Sequence, residues 1–125
     1  MPLCVAAGGA VVAVALQTFT LAWTHSIEKI RWEEDWRLDG PRLVLLEARV
    51  RGSGAGMEPP PGSVLKNGVW HYDPHVAPLD VLRLTHSHYA AGYELCHDGD
   101  CAPLVDYAPR ARDGEVIELR ACPPT

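Results

Sequence analysis

Hydrophobic and polar residues alternate one by one in several short stretches of the chain. Between residues 18 and 24, Phe19, Leu21 and Trp23 alternate with threonines and an alanine. An alternation of period two places every second side chain on the same side of a β-strand. The pattern therefore predicts a strand here, with the three large side chains facing a core.

A second alternating stretch follows between residues 44 and 51. Val44, Leu46, Ala48 and Val50 alternate here with Leu45 and three charged residues. We expect these four residues to face the core, and the opposite side of the strand to become more exposed towards its end.

The segment between these two stretches, from Ile27 to Trp36, carries two competing patterns. Ile27 and Ile30 would share one face of a helix, whereas Trp32, Glu34 and Trp36 alternate as in a strand. We favour the strand.

Turn signals are dense along the whole chain, which contains 11 glycines and 11 prolines in 125 residues. Gly8-Gly9, Asn67-Gly68 and Asp98-Gly99 are dipeptides of the kind that closes two-residue β-hairpins. Many short strands separated by such turns are typical of antiparallel all-β domains. The sequence therefore predicts an all-β fold, a single antiparallel β sandwich or barrel of about eight to ten short strands.

The N-terminal residues 1–15 allow two interpretations within a single domain that spans residues 1–125. The apolar run from Leu3 to Leu16 is shorter than a membrane-spanning helix, which needs about 20 residues. It resembles a weak signal peptide, but no basic residue precedes Lys29. Gly8-Gly9 interrupts the run, and we favour the first β-hairpin of the fold over a cleaved signal.

The four cysteines indicate disulfide chemistry. In a two-residue hairpin at Asp98-Gly99, Cys96 and Cys101 lie directly opposite each other in a non-hydrogen-bonded pair, so a bridge between them is feasible. Cys4 and Cys122 could pair if the terminal strands are neighbours. A zinc site is the weaker alternative, because only two thiols are close and their spacing exceeds C-x2-C. Disulfides belong to oxidising compartments.

Composition and charge exclude some classes of function. The net charge is −5, from 11 basic and 16 acidic residues, and no basic cluster occurs, so the sequence argues against nucleic-acid binding. No P-loop, dinucleotide fingerprint or G-x-S-x-G motif is found. We therefore expect no cofactor and a non-enzymatic role.

Histidines supply the alternative hypothesis. His86 and His88 are two residues apart and would share one strand face, and His25 could provide a further ligand. These three residues would form the metal site of a metal-binding or metal-dependent domain.

Two segments break local rules and become the candidate binding surface. Polar residues follow the strand at residues 18–24 directly, and a glycine-rich loop follows the strand at residues 44–51. Polar groups beside a glycine-rich bend suit a small pocket rim for a partner protein or a small anionic solute. The candidates are His25, Ser26, Glu28 and Lys29 from the first segment, and Gly54, Gly56 and Glu58 from the second.

Several of these motifs resemble a known family. The segment Thr24–Lys29 with Trp32-Glu33-Glu34, and the segment from Glu47 to Met57, are similar to two signatures of an uncharacterised bacterial family, a domain of unknown function. The Trp70/Tyr72 hairpin and the segment from Tyr93 to Cys101 are similar to it as well.

The resemblance implies an accessory role. Genes of this family often lie beside TRAP transporters of the TAXI type, so a transporter subunit or a solute-binding protein is the implied partner. The resemblance and the disulfide favour a periplasmic location, whereas the poor signal sequence leaves a cytoplasmic location open. We expect an accessory or binding protein of a TRAP-type solute uptake system, and none of its segments is expected to span a membrane.

Overall fold

A computed structural model describes residues 2–24, 30–51, 61–86 and 92–123 of the chain. Strands account for most of these residues, and the short 3-10 helix Leu104–Tyr107 follows the tenth strand. The strands are β1 (Leu3–Ala7), β2 (Ala10–Val14), β3 (Thr18–Thr24), β4 (Arg31–Asp39), β5 (Arg42–Arg51), β6 (Val64–Lys66), β7 (Val69–Tyr72), β8 (Leu82–Thr85), β9 (Glu94–His97), β10 (Asp100–Pro103) and β11 (Val116–Ala121).

These strands form two antiparallel sheets. The smaller sheet has four strands in the order β2-β1-β11-β8, and the larger has seven in the order β10-β9-β3-β4-β5-β7-β6. The sheets pack face to face as a sandwich, which confirms the predicted all-β fold class. The eleven strands are slightly more than predicted.

All three glycine turns close hairpins where they were predicted. Gly8-Gly9 joins β1 to β2, Asn67-Gly68 joins β6 to β7, and Asp98-Gly99 joins β9 to β10. Every one of these six residues has a positive φ, the conformation that a type I′ turn requires. Gly8 is constrained further, because a Cβ there would clash with the carbonyl of Arg110.

The core lies between the sheets and confirms the alternation in β3. Phe19 and Leu21 are buried, and Trp23 is half-buried against the same core. The most deeply buried side chains are leucine, isoleucine and valine. They are Leu3, Val5, Leu21, Leu43, Leu95, Ile117 and Leu119 of the two sheets and Leu104 of the 3-10 helix. The strand favoured for Ile27–Trp36 is confirmed from Arg31 onwards, and Ile27–Lys29 lie outside the described residues.

The prediction for the second alternating stretch was half wrong. Ala48 and Val50 are buried as expected, but Leu46 is 40% exposed, and Leu43 and Leu45 are buried in its place. The cause is a β-bulge: Asp35 pairs with Glu47 and Trp36 with Leu45, so Leu46 is an extra residue. After an extra residue, the side chains that would have pointed towards the core point away from it, and the reverse.

Both disulfides are present, and they use all four cysteines. Cys96 and Cys101 pair across β9 and β10, with Cα atoms 4.0 Å apart, which confirms the predicted bridge. Cys4 of β1 pairs with Cys122 just after β11, at a Cα distance of 5.0 Å. Because Cys4–Cys122 closes a far longer loop, the chain-entropy model assigns it about 5 kcal/mol and the hairpin bridge about 2 kcal/mol.

The N-terminal hairpin is an integral part of the smaller sheet. β1 pairs with β2 on one side and with β11 on the other, and most of its side chains are buried. Retention of residues 1–15 in the mature protein stays a prediction, which intact-mass measurement on the native protein would check. Within the described residues, no helix is long and apolar enough to cross a membrane.

Candidate functional site

The outer face of the seven-stranded sheet, which points away from the core, carries charged side chains at its centre. Register places Glu33 of β4 beside Arg49 of β5, and Asp35 beside Glu47. Arg49 donates two hydrogen bonds to the two carboxylate oxygens of Asp35, at 2.6 and 2.8 Å. It also donates to Glu47 at 2.8 Å and to Glu33 at 3.3 Å. Together with Arg31 and Glu94 we call these residues the outer charge network.

Arg31 extends the outer charge network across β3. Its guanidinium contacts Glu33 at 3.1 Å and Glu94 of β9 at 2.8 Å. Ala22 of β3 lies between these two glutamates in the register and is 0% exposed although it is on the outer face. A small side chain at this position leaves room for Arg31 to reach over the strand.

The pKa values in the outer charge network reflect its internal pairing. Hydrogen bonds from Arg49 lower the pKa of Asp35 in spite of its burial, and the Thr20 hydroxyl donates a further bond at 2.7 Å. Burial opposes ionisation of Glu33, but hydrogen bonds from Arg31 and Arg49 outweigh it and lower the pKa. The hydrogen bond to Asp35 is the main cause that raises the pKa of Arg49. Because these charged groups hydrogen-bond to one another, we infer that the outer charge network stabilises the fold.

A shallow pocket of about 430 Å³ lies between the outer charge network and the β9–β10 hairpin. Asp35, Arg49 and the Cys96–Cys101 bridge line it, together with His97. The Nδ1 atom of His97 is buried without a hydrogen bond, although Asp98 Oδ2 lies 3.4 Å away. The charged groups lining this pocket are engaged with one another, so few of them remain for a ligand.

The inner face of the same sheet, which points towards the smaller sheet, is aromatic at one end. Trp23 of β3 pairs with Trp32 of β4, and Trp32 and Trp70 pair with Val50 of β5 from either side. All of these tryptophans are half-buried, whereas Val50 between them is only 4% exposed. We define the inner aromatic patch as Trp23, Trp32, Trp70, Tyr72 and Tyr93, together with Glu34 on the same face of the sheet.

Ring contacts order part of the inner aromatic patch. The rings of Trp23 and Trp32 are stacked, with centroids 6.3 Å apart and planes within 5°. Tyr93 packs on the other side of Trp23 at 5.6 Å, tilted by 59°. Trp23 and Tyr93 also contact the core, so the patch is anchored to the rigid centre of the sandwich.

Glu34 is the acidic residue of this patch. Alternation along β4 places it on the same face as Trp32 and Trp36. The Trp36 indole N–H donates to its carboxylate at 3.4 Å, a long hydrogen bond, and burial raises the pKa of Glu34. Burial, and to a smaller extent the nearby charge of Glu34, raise the pKa values of Tyr72 and Tyr93. Among the described residues, no cation pairs with Glu34.

The predicted binding surface lies outside the described residues. This applies to His25, Ser26, Glu28 and Lys29, and equally to Gly54, Gly56 and Glu58. The proposed contact between the two segments therefore stays a prediction.

The metal hypothesis stays a prediction, because two of its three histidines lie outside the described residues. His86 is half-buried, and its backbone pairs with Glu115 and Gly114. His25 and His88 lie outside the described residues. Within the described part of the chain, no group of three or more histidines, cysteines and acidic residues could hold a metal ion. Metal analysis of the purified protein remains the decisive measurement for this alternative.

Sequence reasoning missed the inner aromatic patch. The alternation of Trp32, Glu34 and Trp36 contained the signal, because it places a carboxylate on an otherwise apolar strand face. Trp70 and Tyr72 could not be added without knowing that β7 lies beside β5 in the sheet.

Comparison with known proteins gives a family and no close relative. Residues 19–104 match the model of a family described as a domain of unknown function, DUF1850. These residues include β3 to β10, and therefore both faces of the seven-stranded sheet. No curated protein and no solved structure matches the chain.

Proposed function

This chain belongs to the DUF1850 family of domains of unknown function, and from that premise we propose that it is a non-enzymatic accessory protein that binds its ligand on the inner aromatic patch. The observation that carries the proposal is that three half-buried tryptophans and two tyrosines share one face of the sheet with one carboxylate, that of Glu34. Rigid aromatic side chains provide a large contact area at a small cost in conformational entropy.

The contrast with the outer face supports this choice of site. There, each of the four carboxylates already contacts the guanidinium of Arg31 or Arg49, at 2.6 to 3.3 Å. A ligand on that face would have to break these ion pairs before making its own contacts. On the inner aromatic patch, by contrast, Trp32 and Trp70 retain accessible surface.

The patch also continues into exposed apolar surface at the edge of the sheet. Leu65 of β6 pairs with Trp70 and therefore shares its face, and it is 54% exposed. An exposed leucine beside a half-buried tryptophan extends the apolar contact area, which is typical of binding surfaces.

We infer further that the protein works with a TRAP-type uptake system of the TAXI class in the periplasm. The similarity of the Thr24–Lys29 and Glu47–Met57 segments to a family encoded beside such transporters supports this association. Two disulfides that leave no cysteine free support an oxidising compartment. The partner would be a transporter subunit or a solute-binding protein.

Affinity purification from the native host tests this proposal. A tagged wild-type protein is expected to retain TRAP subunits or their solute-binding protein, and Trp70→Ala is expected to reduce that retention severalfold. Val11→Ala is the matched control, because Val11 is 64% exposed but lies on β2 of the other sheet. If Trp70→Ala retained as much of these partners as wild type, the protein would bind them without using the inner aromatic patch. Absence of every TRAP component from the wild-type sample would contradict the association itself.

A further inference from the structure

The carboxylates of the seven-stranded sheet differ in whether they have a cationic partner. Glu33, Asp35, Glu47 and Glu94 on the outer face each lie within 3.3 Å of an arginine nitrogen. Glu34 has only the indole N–H of Trp36 among the described residues. A half-buried carboxylate without a counter-charge is costly, and its position on an aromatic face therefore calls for a functional reason.

An aromatic sheet face that also carries a carboxylate matches one class of ligand. The faces of tryptophan and tyrosine rings attract cations, most strongly where water is excluded. The carboxylate adds a direct charge interaction at the same place. Aromatic side chains on the same face as an acidic group are thus suited to an ammonium group that carries methyl or methylene substituents.

We propose that the inner aromatic patch binds a small organic cation, with the ammonium group facing Glu34 and its alkyl groups packed against Trp23, Trp32 and Trp70. This inference rests on the proposed function, because it names the class of ligand for the same patch. An anionic solute, considered above for the polar segments, would be repelled by Glu34. Among the described residues of the patch, a bare metal ion would find one carboxylate, fewer ligands than magnesium or calcium requires.

A pair of isosteric probes tests the charge requirement. Choline carries a quaternary ammonium group, and 3,3-dimethylbutan-1-ol has the same shape with a carbon atom in place of the nitrogen. Titration calorimetry, with tryptophan fluorescence as a second readout, gives the dissociation constant of each probe. We expect choline to bind at least about tenfold more tightly than the neutral alcohol, the preference that one desolvated cation–π contact or ion pair provides.

Two glutamate variants test whether Glu34 is the residue that causes the preference for choline. Glu34→Gln removes the charge on the inner face and is expected to reduce the preference for choline to below about threefold. Glu47→Gln makes the same chemical change on the outer face and is expected to leave the preference unchanged. Circular dichroism establishes that both variants are folded. Trp70→Ala provides a second test that leaves Glu34 intact, and is expected to weaken choline binding about tenfold.

The outcomes separate this inference from the proposed function. Equal binding of choline and the alcohol would overturn the cation inference while leaving the patch as a ligand site. An unchanged preference in Glu34→Gln would overturn it as well. No binding of choline at tens of millimolar would overturn the inference, whereas the purification experiment decides the accessory role independently.

Discussion

Glu34 and Asp35 are neighbours in the chain but lie on opposite faces of β4, and their pKa values are shifted in opposite directions. Asp35 accepts two hydrogen bonds from Arg49 and one from Thr20, and its pKa is lowered. Glu34 lies on the aromatic inner face and accepts one long hydrogen bond from Trp36, and burial raises its pKa. Ionisation of Asp35 therefore stabilises the folded protein, whereas ionisation of Glu34 on the same strand destabilises it.

The difference indicates that the outer face of this sheet contributes to stability and that the inner face is the one suited to binding. On the outer face, charges are satisfied within the protein, and the resulting ion pairs join β9, β4 and β5 across the sheet. On the inner face, Glu34 has no cationic partner among the described residues, and accessible aromatic surface lies on the same face. An element that keeps a group unsatisfied at some cost to stability is characteristic of a functional site.

The largest effect is expected from Arg49→Ala. Removal of the guanidinium takes away the cation that Glu33, Asp35 and Glu47 share. What remains is Arg31 beside Glu33, the Thr20 hydroxyl on Asp35 and His71 beside Glu47. Because the Arg49 side chain is only 18% exposed, we expect a loss of about 3 kcal/mol in the free energy of unfolding. Urea denaturation at pH 7 measures it.

Arg83→Ala is the matched control for that experiment. Arg83 pairs with Glu118 at 3.0 Å, but it is 62% exposed, and such pairs contribute about 1 kcal/mol or less. If both substitutions cost the same, the outer charge network is no more stabilising than an ordinary surface ion pair, and the contrast between the two faces is lost.

The next effect concerns the room that Ala22 leaves for Arg31. Ala22→Leu would fill the space between Glu94 and Glu33, and we expect a loss of about 2 kcal/mol from overpacking and from separation of the Arg31–Glu94 pair. Thermal unfolding with added salt checks the cause. The loss should shrink in high salt if the ion pair contributes, and Ala22→Ser, which barely changes the volume, should stay close to wild type.

The parts of this fold that depend on a few adjacent residues could be predicted from the sequence. The turns at Gly8-Gly9, Asn67-Gly68 and Asp98-Gly99 are each decided by two residues whose φ is positive, so the hairpins followed directly. The Cys96–Cys101 bridge followed from one of them, because a two-residue turn fixes the register on both sides.

Features that depend on neighbouring strands could not be predicted in this way. The bulge at Leu46 is set by the pairing of β5 with β4, and nothing in the alternation of β5 itself shows where the phase changes. Trp32 and Trp70 lie in one row on either side of Val50 because β5 lies between β4 and β7. A site assembled from separate strands needs the sheet order, which single-sequence patterns do not contain.

Asp35→Asn is expected to have a moderate effect with a defined pH dependence. The amide loses the charge that Arg49 binds, and we expect a cost of about 1.5 kcal/mol at pH 7. Since the pKa of Asp35 is lowered in the folded state, its stabilisation is complete above its ordinary value of 3.8 and disappears as the pH falls through the folded pKa. Denaturation curves should therefore show wild type and variant converging in acid. If Asp35→Asn lost the same stability at every pH, the loss would come from altered packing and not from the missing charge.

Glu34→Gln should give the smallest effect, and one of opposite sign. Since burial raises its pKa, the folded protein holds the Glu34 proton more tightly than the unfolded chain does. Wild-type stability from this group is therefore complete below its ordinary value of 4.5 and is lost as the pH rises through the folded pKa.

Glutamine has no proton to lose and can still accept the hydrogen bond from Trp36. Tyr72 and Tyr93, the titratable groups whose pKa values respond to Glu34, stay neutral because their own pKa values are raised. We therefore expect Glu34→Gln to be slightly more stable than wild type at pH 7, and indistinguishable from it below pH 4.5. Parallel denaturation series at the two pH values measure the difference. A loss at pH 7 like that of Asp35→Asn would mean that the Glu34 charge has a partner in the folded protein, and the two faces of the sheet would then follow the same rule.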